Sequence, residues 1–295
     1  MSIEPALLKE IVDRALREDI GTGDITTQSI VADNYVTIGF IRTKEPGVVA
    51  GLDVAREVFL QLNADISFQP RVKDGESVSA GQLIARVEGD AGAILSGERV
   101  ALNFLQRMSG IATRTAYLSG LIAGEKVKLT DTRKTTPGLR ILDKYAVRVG
   151  GGYNHRFGLY DAILIKDNHI KVAGSITEAV SRARARAPHT MGIEVEVESL
   201  EGLEEAINAG AHVVMLDNMS PEMMKKAVEI AGGRVLLEAS GQVNEDTITT
   251  IARAGVDLIS VGSLTHSVKA LDISLDVGEM KPIAGVIYNA SSKDS

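Results

Sequence analysis

Six short runs rich in Val, Ile and Leu recur after residue 115, at 126–133, 160–167, 192–197, 211–218, 234–240 and 257–263. Amphipathic patterns such as SITEAVSRARARA and SLEGLEEAINAG separate most of them. A strand covered on both faces reads as an unbroken apolar run, and a connection long enough to hold a helix lets the next strand lie parallel to the last. The chain is therefore constrained to repeated parallel βα units, an α/β architecture. Eight strands would close the common β/α barrel. Six runs fit an incomplete parallel β/α barrel of about six strands, its open side covered by the preceding domain. A doubly wound dinucleotide sheet fits less well. No G-x-G-x-x-G opens a helix, and Gly150, Gly151 and Gly152 lead into Tyr-Asn-His-Arg instead.

Each run also ends in polar residues. These are Asp131, Thr132, Arg133 and Lys134; Lys166 and Asp167; Glu194 and Glu196; Asp217 and Asn218; Glu238 and Ser240; Gly262 and Ser263. Burying a charge in a barrel core costs several kcal/mol unless it is paired. Repeated strand-end charges therefore imply one shared polar mouth, at the face where β/α barrels build their active sites.

The first 114 residues follow another pattern. Residues 5–19 carry Leu7, Leu8, Ile11, Val12, Ala15 and Leu16 at helical spacing, and 36–95 hold short β runs punctuated by Pro46-Gly47, Asp74-Gly75 and Ala80-Gly81. A second helix is expected near 53–62. The string VKDGESVSAGQLIARVEG is similar to the hairpins of biotinyl and lipoyl carrier domains, but Lys73 stands before Asp-Gly, where turn chemistry accounts for it. Ser96 is placed as the N-cap of a helix bearing Val100, Leu102, Phe104, Leu105 and Met108. The expected organisation is an α+β sandwich-like domain over 1–114 and a barrel over 115–267, with the strand-like tail 268–295 returning to the first domain. An apolar fraction of 44% supplies a full core, and the absence of cysteine excludes disulfides and thiolate chemistry. No apolar run reaches the roughly 18 residues that a membrane span needs, and the amino terminus lacks the pattern of a signal peptide. The expectation is a soluble, cytoplasmic protein with no membrane partner.

Residues 131–171 carry eight Lys/Arg against four Asp/Glu, a local charge of +4 in a chain of net charge −7. These cations are interleaved with a Thr/Pro/Gly turn, a triple glycine and an apolar run, as in a folded site. Such a site suits a small polyanion bearing phosphates or carboxylates. Nucleic acid is disfavoured as a partner, because an acidic chain without an extended basic stripe is repelled from a duplex. Arg133 has the fork geometry for a carboxylate, whereas Lys134 and Lys166 are compact charges suited to phosphate oxygens. His155, flanked by Tyr153 and Phe157, fits either a site or a packed core. Arg140, Lys144 and Arg148 recur at helical spacing and fit a solvated face as well as a site. Glu196 and Asp217, ending the third and fourth runs, can accept hydrogen bonds from hydroxyls, hold a divalent cation or stabilise positive charge. Glu194 shares a strand face with Glu196 by the period-two rule.

The strings EDIGTGDITT, SGERVALNFLQRMSGIAT, DTRKTTPGLR, GGGYNHRFGLYDAILIKDNHI, EVEVES, MLDN, EASG and VGSLTHS, in this order, resemble the quinolinate phosphoribosyltransferase family over nearly the full length. The resemblance implies a type II phosphoribosyltransferase-like fold. It also implies a reaction in which quinolinate and phosphoribosyl pyrophosphate give nicotinate mononucleotide, pyrophosphate and carbon dioxide with Mg²⁺ and no organic cofactor. It assigns quinolinate to Arg133, His155, Arg156 and Lys166, and favours Glu196 over Glu194. Thr132, Ser240, Gly241, Gly262 and Ser263 are expected at the substrates, the small residues letting backbone N–H groups approach a phosphate. Arg99 is implied to reach quinolinate across a subunit interface, in a homodimer with shared active sites or in a hexamer. Two other readings stay open on sequence: a related phosphoribosyltransferase of the molybdate-transport-linked type acting on another aromatic acid, and a non-catalytic barrel that senses a phosphorylated sugar.

Overall fold

The computed structural model describes residues 3–32, 35–278 and 281–282. It divides into two units, the residues up to Thr113 with those from Lys269 onward, and Arg114–Val268.

The first unit opens with α1 (Pro5–Ile20), where Pro5 sits in the first turn and the Glu4 carboxylate accepts hydrogen bonds from Ala6 and Leu7 N–H at 3.1 and 2.8 Å. Its apolar stripe buries Ile11, Val12 and Leu16, and α1 packs on α3 (Leu52–Leu62). Between them lie α2 (Ile25–Ile30), β1 (Tyr35–Thr43) and β2 (Gly47–Val48). After α3 come β3 (Ser67–Pro70), β4 (Ser77–Val78) and β5 (Leu83–Asp90). The main sheet is antiparallel, with strand Ile273–Val277 beside β1, then β5, then β3. Val12, Ile41, Phe59, Ile84 and Leu105 have no exposed surface. Each such side chain contributes about 1.5–3 kcal/mol by leaving water.

The long helix α4 runs from Ala91 to Leu121 and corrects one expectation. Ser96 is not its N-cap. The last residue of β5, Asp90, accepts from Ala93 N–H at 2.7 Å and caps the helix directly, so no turn separates strand from helix. Ser96 lies inside α4 and donates instead to Asp24 Oδ2 at 3.0 Å. Arg99 is therefore more than one turn beyond the helix start, where the helix dipole imposes little penalty on a cation.

The second unit carries six strands: β6 (Lys128–Thr130), β7 (Ile163–Ile165), β8 (Ile193–Val197), β9 (Val213–Asp217), β10 (Leu236–Ser240) and β11 (Leu258–Ser260). All neighbours pair parallel, in the order β6-β11-β10-β9-β8-β7, the incomplete barrel anticipated from the six runs. Among the described residues β6 and β7 do not pair. Tyr153 lies against β6 instead, donating its N–H to Leu129 O at 2.8 Å and accepting from Asp131 N–H at 3.1 Å. The connecting helices start on Ser175, Ser199 and Ser220, each hydroxyl accepting an N–H three residues on. Register aligns Thr130 with Ser260 and Ser240 with Asp217, so the strand ends meet at one rim. Among the described residues no helix is long and apolar enough to cross a membrane.

Candidate active site

The rim is built on a buried ion pair. Asp131, just past β6, is fully buried, and Lys144 Nζ from α5 (Arg140–Val149) donates to its Oδ1 at 2.6 Å. Asn154 Nδ2 and His155 N–H complete the carboxylate's partners at 2.7 and 2.8 Å, and Lys144 also donates to His155 O at 2.9 Å. Burial pushes the Asp131 carboxyl up and the Lys144 ammonium down, and each is opposed by the charge of the other. Lys144 is thus neither a solvated residue nor a ligand contact. It locks the segment that presents His155 and Arg156. Arg140 is likewise engaged, donating to Thr135 Oγ1 at 2.9 Å and Phe157 O at 3.0 Å, and so tying the loop after β6 to the loop before β7. Arg148 lies over the Tyr153 ring.

Above this floor opens a cavity of about 740 Å³. The loop after β6 contributes Thr132, Arg133 and Lys134; the segment before β7 contributes His155 and Arg156; the end of β7 contributes Lys166. Glu196 comes from β8, Asp217 from the end of β9, Ser240 and Gly241 from β10, and Gly262 and Ser263 from the turn after β11. Every expected site residue except Arg99 lines this one cavity. Arg99 is exposed on α4, in the first unit.

Arg133 and Arg156 stand close enough that Arg156's proton affinity is lowered, first by burial and then by the Arg133 charge. Arg156 Nη1 is held by Ala162 O at 2.9 Å. Lys166 Nζ pairs with Glu196 Oε2 at 2.5 Å. Lys134 lies across Gly262, whose Cβ would stand 2.9 Å from Lys134 Cδ. Gly241 needs its φ of +93°, and a Cβ there would collide with Asn218 Oδ1. Asn218 itself sits at φ +54° and donates to Asp217 Oδ2 at 2.9 Å, fixing that carboxylate.

Structure separates Glu194 from Glu196. Both project from one face of β8, but Glu194 lies deeper, with its Oε2 3.1 Å from His155 Nε2. Glu238 of β10 reaches the same nitrogen at 3.6 Å. His155 Nδ1 accepts from Arg156 N–H at 2.7 Å, so both ring nitrogens are engaged within the protein. His169 turns away from this group and accepts from Lys166 N–H at 2.9 Å. Asn218, named with Asp217 at the polar end of the fourth run, lines the cavity as that polar edge implied; Gln242 and His266 also line it and carried no such signal.

Four cations and two carboxylates gathered in one cavity at the strand ends of an open β/α barrel are the arrangement of an enzyme for small polyanionic substrates. Profiles of the quinolinate phosphoribosyl transferase N-terminal and C-terminal domains match residues 24–109 and 111–276. The chain belongs to the quinolinate phosphoribosyltransferase family. It is 48% identical over 270 residues to the probable nicotinate-nucleotide pyrophosphorylase (carboxylating) of Bacillus subtilis, covering 92% of this chain and 93% of that protein. Identity to the mitochondrial quinolinate phosphoribosyltransferase (decarboxylating) 2 of Nicotiana glauca is 40%, over 92% and 82% of the two chains. NadC from Streptococcus pyogenes superposes with a TM-score of 0.91 at 44% identity, over 96% of this chain and 99% of that one.

Proposed function

We infer that this chain transfers the phosphoribosyl group of phosphoribosyl pyrophosphate to quinolinate, releasing pyrophosphate and carbon dioxide and forming nicotinate mononucleotide. The observation that carries this is the convergence of Arg133, Lys134, Arg156 and Lys166 on a cavity faced by Glu196 and Asp217. Quinolinate bears two adjacent carboxylates and its co-substrate a phosphate and a pyrophosphate. Each close pair of like charges costs about 4 kcal/mol at an effective dielectric near 20, which fixed cations must offset. Arg133 and Arg156 suit the carboxylates by bidentate forks, and Lys134 and Lys166 suit phosphate oxygens. So bound, quinolinate presents its ring nitrogen to C1 of the ribose. The nitrogen lone pair forms the new N–C1 bond as the C1–O bond breaks and its electron pair leaves with pyrophosphate. Asp217, oriented by Asn218, stabilises the positive charge developing at C1. The C2–carboxylate bond then breaks and carbon dioxide leaves; the electron pair remains at C2, stabilised by the adjacent positive nitrogen, until C2 takes a proton.

Mg²⁺ belongs to this proposal. Glu196 and Asp217 are hard oxygen donors on adjacent strands at the rim, the kind and number that hold this ion together with substrate phosphates. When bound, it would neutralise charge on the pyrophosphate. The oligomeric part of the proposal is a homodimer in which the exposed Arg99 completes the partner's site, in a hexamer or alone. The cytoplasm is the proposed location. The test is carbon dioxide release from quinolinate labelled in the C2 carboxylate. It should require phosphoribosyl pyrophosphate, stop on chelation of divalent cations and resume with Mg²⁺. Release without phosphoribosyl pyrophosphate would contradict the assignment.

A further inference from the structure

Beneath the cations lies a buried group that none of these steps uses. Glu194 and Glu238 are 8% and 2% exposed, both approach His155 Nε2, and Glu194 Oε1 and Glu238 Oε1 lack hydrogen-bond partners. One nitrogen and two carboxylate oxygens within 4.8 Å of one another would suit a divalent cation by spacing. The tautomer argues against it. Arg156 N–H donates to Nδ1, so Nδ1 carries no hydrogen and the ring hydrogen is on Nε2, leaving no lone pair there for a metal.

The same contact decides the charge on the ring. Burial disfavours an imidazolium, while the Glu194 hydrogen bond and the charges of Glu238 and Glu194 favour it and raise the His155 pKa. A second ring proton would have to sit on Nδ1, pointing at the Arg156 N–H. The imidazole is therefore neutral and donates Nε2–H to Glu194. Two ionised carboxylates around a neutral ring, out of water, repel without compensation, so one of them keeps its proton to higher pH than an ordinary carboxyl. Glu194 has the Nε2–H donor and is the shallower; Glu238 is the acid. Burial first, and the Glu194 charge second, lift the Glu238 carboxyl to about 7. Asp131 from the end of β6 adds to that push, whereas the Ser260 hydroxyl of β11 and any positive charge on His155 oppose it. Lys144, which also donates to His155 O, is committed to Asp131.

We propose that binding of the dicarboxylate is linked to uptake of one proton by Glu238, the buried carboxyl beneath His155. This rests on the quinolinate reading of the cavity. Anions arriving above His155 penalise a negative charge beneath it, so Glu238 is protonated in the complex whatever its state before. A carboxylic acid below the substrate lets the arginine and lysine charges act on the ligand without competition from the floor.

The sign follows from linkage. Below about pH 7 Glu238 already holds its proton and binding takes up none. Above it the free protein is ionised there, and affinity falls with rising pH by up to about tenfold per unit for one proton. Quinolinate binding by calorimetry at about pH 7.5, in PIPES and in Tris, reads the uptake from the difference in heat between buffers. Wild type should take up a substantial fraction of one proton per quinolinate, and its Kd should weaken between about pH 7 and 8.5. Glu238→Gln should bind with no uptake and a flat Kd. Binding by wild type without uptake overturns the linkage alone, and this arm needs no variant to fold. Uptake that persists in Glu238→Gln places the proton elsewhere and also overturns it. No quinolinate binding at all removes the functional reading and the linkage together. Stabilisation of wild type but not Glu238→Gln by Zn²⁺ or Mn²⁺ would make the group a metal site and contradict the proton.

Discussion

Replacing Lys144 by methionine should destabilise the barrel unit severely and then be partly rescued by a second substitution. The Asp131 side chain is fully buried and that of Lys144 is 4% exposed, so the pair is unscreened by water. Removing the ammonium leaves a buried carboxylate with two neutral donors, Asn154 Nδ2 and His155 N–H. Stranding one partner of a buried pair costs about 3–5 kcal/mol. For a cooperative unit of this size that lowers Tm by about 6–20 °C at 2–4 °C per kcal/mol. Asp131→Asn added to Lys144→Met removes the stranded charge while keeping an acceptor oxygen for one of the two donors, and should recover part of the loss. The single variant carries its own pH signature. Burial already raises the Asp131 pKa, and without Lys144 it rises further, so the folded state holds that proton more tightly than the unfolded chain. The loss should therefore shrink as pH falls toward the raised pKa and be largest at neutral pH. Scanning calorimetry across pH on wild type and both variants measures all three quantities. A Lys144→Met penalty under about 1 kcal/mol, or a double variant no better than the single, would refute the reasoning.

Arg133→Lys should lose about 10–100-fold in kcat/KM, close to the effect of Arg133→Ala, because a point charge cannot replace a charge-assisted fork. Steady-state kinetics check this. Asp217→Asn should lower kcat by about 10²–10³-fold while changing quinolinate affinity little, since its charge acts on a positive centre that exists only in the transition state; kinetics paired with calorimetry separate the two. Mixing inactive Arg99→Ala with inactive Lys166→Ala should restore partial activity once mass spectrometry shows subunit exchange, because mixed dimers then hold one site free of both defects. Exchange without recovery would remove Arg99 from the partner's site.

The barrel and its rim were legible in the sequence because two periodic signals agreed. Apolar runs marked the strands, and the polar residue closing each run marked the depth at which the strand meets solvent. Depth below that rim was not legible. Period-two alternation puts Glu194 and Glu196 on one face but cannot say that one reaches Lys166 at the rim while the other meets His155 in the interior. For the same reason α5 showed its cations at helical spacing without showing that Lys144 faces inward to Asp131, a partner 13 residues away. Ser96 misled because serine is a common cap, whereas Asp90 closes β5 and opens α4 with no intervening loop. The Gly241 requirement lay hidden because its steric partner, Asn218, belongs to another strand.

The central claim is that the cavity is built for two carboxylates on one pyridine ring. Quinolinate and nicotinate differ by one of them. Their kcat/KM values, measured with phosphoribosyl pyrophosphate and Mg²⁺ in the same assay, test it most directly. A site whose arginines are left unpaired by the smaller acid should favour quinolinate by at least about 10³-fold, with one carbon dioxide released per nucleotide formed. Comparable turnover of the two acids, or nucleotide formed from quinolinate with both carboxylates retained, would contradict the account.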